Sequence, residues 1–423
     1  MMEALSKQSI SDILIQKIEK TTLTIKSDLY SDFRKEALVS LKSIGLPGRK
    51  HEEYKYANPD KLFRSDLKIL NNANHQSVEP ILLKYRSIFP LAEFVVLNNG
   101  FLDKKHSTTQ VSDLNNSEAF KLLGKMAFLN QDFFVALNSS LFSDGVFIKA
   151  EKNKEKIIPF VIINLISENS VLVNPRILIH AEQGSVLNVI EISVNLCNET
   201  TSVCNILTEV KVETNARLNY YKLQHAGEND QTVSTLQVSQ DKDSYFDTNA
   251  VTLSGSWIRN NLNIVLNGTN CETHLNGLFI TNNQLLVDNH TLVDHQMPHC
   301  NSNQLYKGIL KDKSTGVFNG KIYVRRDAQK TNAYQSSKNM LLSDDATINT
   351  KPQLEIFADD VRCSHGSSTG KIDSNALFYL KTRGIGEDNA KQLLMFAFAN
   401  DVVSTIRMEE YRVYIEQLLE EVL

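Results

Sequence analysis

Three textures of apolar and polar residues follow one another along the chain. Near the N-terminus apolar residues recur at helical spacing, with Ile10, Ile13, Leu14 and Ile18 at i, i+3, i+4 and i+8 behind a capping candidate at Ser9. Phe33, Ala37, Leu38 and Leu41 form a second stripe, and Gly45, Pro47 and Gly48 of "GLPGRK" end it. A polar, aromatic connector, "HEEYKYANPDKLF", comes next, and "SEAFKLLGKMAFLNQDFFVALNSSLF" reads as helix again. From Gly145 the period changes. "GVFIKA", "IPFVIINLI", "RILIHA", "SVLNVIEISV", "LTEVKVE", "RLNYYKLQ" and "STLQVSQ" are short β-rich runs divided by polar turns.

Turn markers at Gly184, Asn215, Asp243 and Asn270 recur at roughly thirty-residue intervals, a period that points to solenoids, propellers or arrays. No long helical pattern separates the runs, so βαβ units are not expected. A parallel β-helix would bury the inward Ile, Val and Leu and leave Asn and Ser at the corners. A two-sheet sandwich is the alternative that pattern alone leaves open. After Asp373 helices return. Asp373 or Ser374 can cap "NALFYLKTR", and Gly384 stops it. Leu393, Leu394, Ala397 and Phe398 mark a second helix, and Tyr411, Tyr414, Ile415, Leu418 and Val422 stripe a third. That striped tail must dock on its own array or on a partner.

Charge and cysteine content narrow the function classes. A net charge of −4 over 423 residues creates no field for nucleic acid or an acidic membrane. The N-terminal stretch lacks a positive segment leading into an apolar core, so no secretory signal is expected, and no run approaches the ~18 apolar residues of a membrane span. Cys197, Cys204, Cys271, Cys300 and Cys363 are odd in number and widely scattered, which favours a reducing cytoplasm over a disulfide framework. The triplets at Asn267 and Asn289 then read as chance matches to glycosylation sites.

The chemistry concentrates in "FADDVRCSHGSSTGKID", Phe357 to Asp373. A phosphate loop needs four residues between its glycines and a hydroxyl residue after its lysine. Here three residues separate Gly366 from Gly370, and Ile372 follows Lys371, so the loop is rejected. Cys363 and His365 are two apart, which on a strand puts them on one face roughly 6–7 Å from each other. That spread suits two edges of a larger cluster, or ligands drawn together by a bend at Gly366. Two ligands do not close a site that wants four, so the rest would come from elsewhere on the chain or from another protein.

A second group, His290, His295, His299 and Cys300 in "DNHTLVDHQMPHC", matches no standard zinc spacing and reads as structural. Asp359 and Asp360 beside Arg362 evoke a polysaccharide-cleaving β-helix, but adjacent strand residues face opposite ways. No Gly-x-Ser-x-Gly elbow appears.

The stretches "DNHTLVDHQMPHCNSNQLYKGILKDKSTGVFNGKIYV" and "KPQLEIFADDVRCSHGSSTGKIDSNALFYLKTRGI", with "DFFVALNSSLFSDGVFI" and "LPGRKHEEYKYANPDKLF" upstream, closely resemble the SufB/SufD family of iron–sulfur cluster assembly proteins. Length and the N-terminal stretch resemble the SufD branch; "SHGS" stands where the SufB branch carries an "EHEA"-like segment. The resemblance implies a mainly β fold, a right-handed parallel β-helix flanked by α-helical regions, divided as 1–142, 143–370 and 371–423. It implies a non-catalytic scaffold that pairs with SufB, with a homodimer open to the isolated chain. The ATPase SufC would supply the nucleotide site, so that none is held here. It implies a transient iron–sulfur cluster shared with SufB at His365 and Cys363, and SufC contact through Phe378, Tyr379, Arg383 and Ile385.

Overall fold

The computed structural model describes residues 10–25, 28–63, 66–70, 78–197 and 201–423. The capping candidate Ser9 and the Ile10 side chain lie outside them. The β-rich region winds into a parallel β-solenoid of about 8 turns, with helices before and after it. Each turn contributes one strand to each of two sheets. One sheet runs from Val146–Ala150 through Arg176–Ala181, Val203–Val212, Gln231–Gln240, Trp257–Leu266, Leu286–His295 and Thr315–Val324 to Thr347–Ile356. The other runs from Glu93–Asn98 through Glu155–Ile166, Val186–Asn195, Arg217–Gln224, Tyr245–Thr252, Glu272–Thr281, Asn301–Leu310 and Asn332–Leu341 to Arg362–Gly370. The sandwich alternative is thereby set aside. Its neighbours would be antiparallel, whereas successive turns here pair in parallel, as Leu262↔Thr291 and Thr291↔Gly320 show.

The corners explain the thirty-residue period. Asn153, Gly184, Asn215, Asp243, Asn270, His299 and Lys330 all have φ between 57° and 69°, and they follow one another 27–31 residues apart. That left-handed region is open to Gly and tolerated by Asn and Asp. Each amide donates to a carbonyl one turn further on: Asn215 N–H to Lys242 O at 3.1 Å, Asp243 to Thr269 O at 2.9 Å, His299 to Gln329 O at 2.9 Å. His299 is thus a corner residue. The glycosylation triplet at Asn289 is also structural, since Asn289 is buried and accepts from Asn260 Nδ2 at 3.1 Å.

Side-chain alternation sends one set of residues inside and the other onto helices. Inside, Ile148, Ile179, Ile206, Leu236, Ile264 and Val293 pack with Val189, Leu218, Phe246 and Leu275 of the facing sheet. Outside one sheet, Leu14, Ile18, Leu38 and Leu41 meet Phe133, Phe134, Val203, Val233 and Trp257, while Phe33 packs beside Tyr30 and Phe142 and Ile13 of the first stripe is exposed. Outside the other, Tyr411, Tyr414, Ile415 and Leu418 cover Tyr221, Leu223, Val251 and Ile280, with the Tyr221 and Tyr411 rings 5.2 Å apart. The tail therefore docks on its own array.

Two readings need correction. The stretch from Ser117 forms two short helices, Ser117–Leu122 and Phe133–Leu141, because Gly124 (φ 77°) and the Asp132 cap divide it. In Glu387–Val403 the buried residues are Ala390, Met395, Ala399, Val402 and Val403, while Leu393 and Ala397 are exposed and Leu394 and Phe398 half-buried. Apolar residues surround that helix, so periodicity could not choose its face.

Candidate functional site at the open end of the solenoid

The last turn is bare. Thr347–Ile356 pairs only with Thr315–Val324, and Arg362–Gly370 only with Asn332–Leu341, so neither has an outer neighbour among the described residues. Along Arg362–Gly370 every residue except Cys363 is exposed. The Arg362 amide donates back to Thr331 O at 2.8 Å. Strand alternation then turns the amides of Cys363, His365, Ser367 and Thr369 toward the free edge. An exposed run of unpaired N–H and C=O groups is a template for another chain.

Cys363 and His365 sit on this strand and share its inward face, with Ser367, whose Oγ donates to Thr350 Oγ1 across the turn at 3.0 Å. Register places Cys363 beside Ala333 and His365 beside Gln335. Cys363 is half-buried against Ala333, Ala358 and Leu354, and burial pushes its thiol above the ordinary value. His365 is exposed. The bend considered at Gly366 is absent, since that residue continues the strand. Among the described residues no third His, Cys, Asp or Glu joins the pair in a metal-holding group. The rejected phosphate loop is extended strand as well, and Lys371 pairs with Asp344 at 2.7 Å. Asp360 belongs to the corner, where its amide donates to Gln329 Oε1 at 2.9 Å.

Beneath His365 the interior turns polar, a feature the sequence reading missed. Gln304 Nε2 donates to Thr291 Oγ1 at 2.6 Å, and Gln335 Nε2 to Gln304 Oε1 at 2.8 Å. Gln335 Oε1 is buried without a hydrogen-bond partner. An acceptor next to His365 can take an imidazole N–H and leave the other ring nitrogen free to ligate. Gln304 and Gln335 lie 31 residues apart, so only the solenoid register could have revealed the chain.

The histidine-rich group does not assemble. His290 points outward, hydrogen-bonded to Glu53 Oε2 at 3.0 Å and ion-paired with Asp288 at 2.9 Å, while Arg259 reaches Asp288 at 2.6 Å. Burial opposes charge on His290, but Asp288 and Glu53 outweigh it and its pKa is raised; the hydrogen bond from His290 holds Glu53 down at about 2. His295 is buried inside against Ser302 Oγ at 2.9 Å, and burial lowers its pKa to about 4. Cys300 is buried at the corner, its thiol facing Gly268 O at 3.3 Å.

Three residues after the bare strand, Asp373 caps the helix Ser374–Thr382 by accepting from the amides of Asn375 and Ala376. No residue of this helix is buried. Phe378 and Tyr379 are 70% and 56% exposed, and the Arg383 guanidinium lies 5.3 Å from the Tyr379 ring centre. Ile385, past the turn at Gly384 (φ 84°), is half-buried. Phe378, Tyr379 and Arg383 are thus exposed, with Arg383 over Tyr379, and Ile385 is less so.

Fold and site together define a solenoid scaffold with one bare end. The chain matches the SufBD core domain of the SUF system for FeS cluster assembly over residues 164–398, and the SufBD protein N-terminal region over 7–158. It belongs to the SufB/SufD family of iron–sulfur cluster assembly proteins. It is 29% identical over 384 residues to iron–sulfur cluster assembly protein SufD of Escherichia coli (strain K12), covering 88% of each chain. It is 26% identical over 288 residues to SufD of Bacillus subtilis (strain 168), covering 67% of this chain and 65% of that one. Protein ABCI7, chloroplastic, of Arabidopsis thaliana is 32% identical over 240 residues, 56% of this chain and 50% of that one. Among the described residues no helix is long and apolar enough to cross a membrane.

Proposed function

We propose that this chain is a SufD-like, non-catalytic subunit that presents Cys363 and His365 to a nascent iron–sulfur cluster completed by SufB. The observation that carries the reading is the bare last turn, which places both residues on an edge another chain can extend. SufB pairs along that edge and supplies the missing ligands. SufC docks on Phe378, Tyr379, Arg383 and Ile385; aromatic and Arg side chains favour an interface, and the exposure of the two rings supports this reading. The three-residue link from Gly370 to Ser374 couples the helix to the strand, so SufC movement on ATP binding shifts the cluster edge. The assignment of 1–142, 143–370 and 371–423 to N-terminal, solenoid and SufC-binding regions is part of the same reading, as is a cytoplasmic setting that keeps the five cysteines free.

Cys363 must bind as thiolate and His365 as neutral imidazole, so loading releases protons and weakens as pH falls. The test is anaerobic iron and sulfide analysis of complexes made with SufB and SufC. His365→Ala should lower both several-fold while the three subunits still co-purify. Loss of the complex would make His365 structural, and unchanged iron would leave the chain an adaptor without metal chemistry.

A further inference from the structure

The connector "GRKHEEYKYANPDK" contains neither the proposed cluster residues nor the proposed SufC contacts. It folds into two short turns, Glu52–Tyr54 and Pro59–Lys61, which stand over the outer face of the first-described sheet. Between them and the sheet lies a cleft of about 480 Å³, within the ordinary range for small-molecule sites. Its floor is the register stack Gln231↔Trp257↔Leu286↔Thr315, the first residues of four successive strands. Its rim carries Arg49, Lys55, Lys61 and Lys313.

The charge there is unusual for this chain. No carboxylate lines the cleft, although the chain as a whole carries a net charge of −4. Two nearby acids are engaged elsewhere, Glu52 with Lys351 and Glu53 with His290, and Asp60 accepts from the cleft residue Asn58. Among the described residues none of the four cations forms an ion pair, whereas Lys149, Lys211, Lys307 and Lys321 all do. Lys55 lies 5.2 Å from the centre of the exposed Tyr56 ring, which adds an aromatic wall. Four cations without an ion-pair partner among the described residues, around one concave floor, suit an anion with several charged oxygens.

We propose that this cleft binds a small oligophosphate anion, held by Arg49, Lys55, Lys61 and Lys313. The site contains neither Cys363 and His365 nor the rejected loop at Gly366, and its floor stops one strand short of the bare end, where Thr315 pairs with Thr347. Trp257 is the chain's single tryptophan and lies in the floor, so its fluorescence reports occupancy without a label.

The test titrates full-length protein with inorganic pyrophosphate, ADP and adenosine at ~0.15 M salt, following Trp257 emission and calorimetric heat. Pyrophosphate and ADP should give saturable binding that weakens with added salt, and adenosine none. Lys55→Glu with Lys313→Glu should weaken pyrophosphate about tenfold or more while the thermal melt stays in place. Absence of saturation with both phosphates would overturn the site. So would equal affinity in the double variant, binding of adenosine alone, or tighter binding of an oligoglutamate peptide, which would make the cleft a face for an acidic protein segment.

Discussion

The two ends of the solenoid are built on opposite plans. At the first turn, Val95, Leu97, Val146 and Ile148 are wholly buried in a cluster with Leu102, and the short strands Phe101–Leu102 and Ser112–Asp113 pair with the two first-turn strands. Arg176 and Glu209, both fully buried, hold the following helical stretch against the outer face of the same end. Glu209 takes Arg176 at 2.5 Å and the amides of Gly124, Met126 and Ala127 at 2.9–3.1 Å, and Arg176 reaches Asn138 and Ser139. At the last turn the strand has no outer neighbour among the described residues, and the interior beneath it is apolar only at Cys363, giving way to Gln335 and Gln304 under His365. An edge is normally blunted or covered. Here one end is covered by the chain itself and the other is open, which is where the proposed function falls.

The comparison breaks most sharply at the closed end. Glu209→Ala leaves the Arg176 guanidinium buried and uncompensated, and should cost about 3–5 kcal/mol in urea unfolding. A loss under ~1 kcal/mol would mean the closed end is not where the fold is held. On the open side, Phe378→Asp with Tyr379→Asp should abolish SufC capture in a pull-down while shifting stability within about 0.5 kcal/mol. A variant that unfolds instead would return both rings to internal packing.

A smaller effect comes from the outward cluster of His290, Glu53 and Asp288. His290 has a raised pKa, so its contribution is complete below its ordinary 6.5 and is lost as pH rises through the folded value. Glu53 has a lowered pKa, so its contribution is present above its ordinary 4.5 and is lost as pH falls toward about 2. Stability from this cluster should therefore peak between about pH 4.5 and 6.5. His290→Gln should flatten the alkaline fall in a pH series of thermal melts. An unchanged profile would remove the cluster from the account. Least of all, His365→Ala should leave stability within about 0.5 kcal/mol, because an exposed edge residue carries no packing.

Much of this plan was legible in the sequence because its signals are local. Gly184, Asn215, Asp243 and Asn270 announce the corners through backbone conformations only a few residue types accept. Tyr411, Tyr414, Ile415 and Leu418 announce a buried helix face by spacing alone. The Cys-x-His pair was legible as chemistry, and the sequence also implied that two ligands fall short. What stayed hidden depends on register. Arg176 and Glu209 meet only because Arg176 pairs with Leu207, and Gln304, Gln335 and His365 line up only once the turns are stacked. The strand Glu93–Asn98 escaped notice because it joins the solenoid across an intervening helical stretch, pairing with Glu155–Ile166 some sixty residues later.

The central claim is that the last turn is an unfinished edge which SufB completes. Amide hydrogen exchange across residues 362–370 tests it most directly, measured for the free chain and for its complex with SufB. In the free chain the amides of Cys363, His365 and Ser367 should exchange almost as fast as in an open peptide, and SufB should slow them by about a hundredfold or more. Slow exchange in the free chain, or no added protection with SufB bound, would contradict the account.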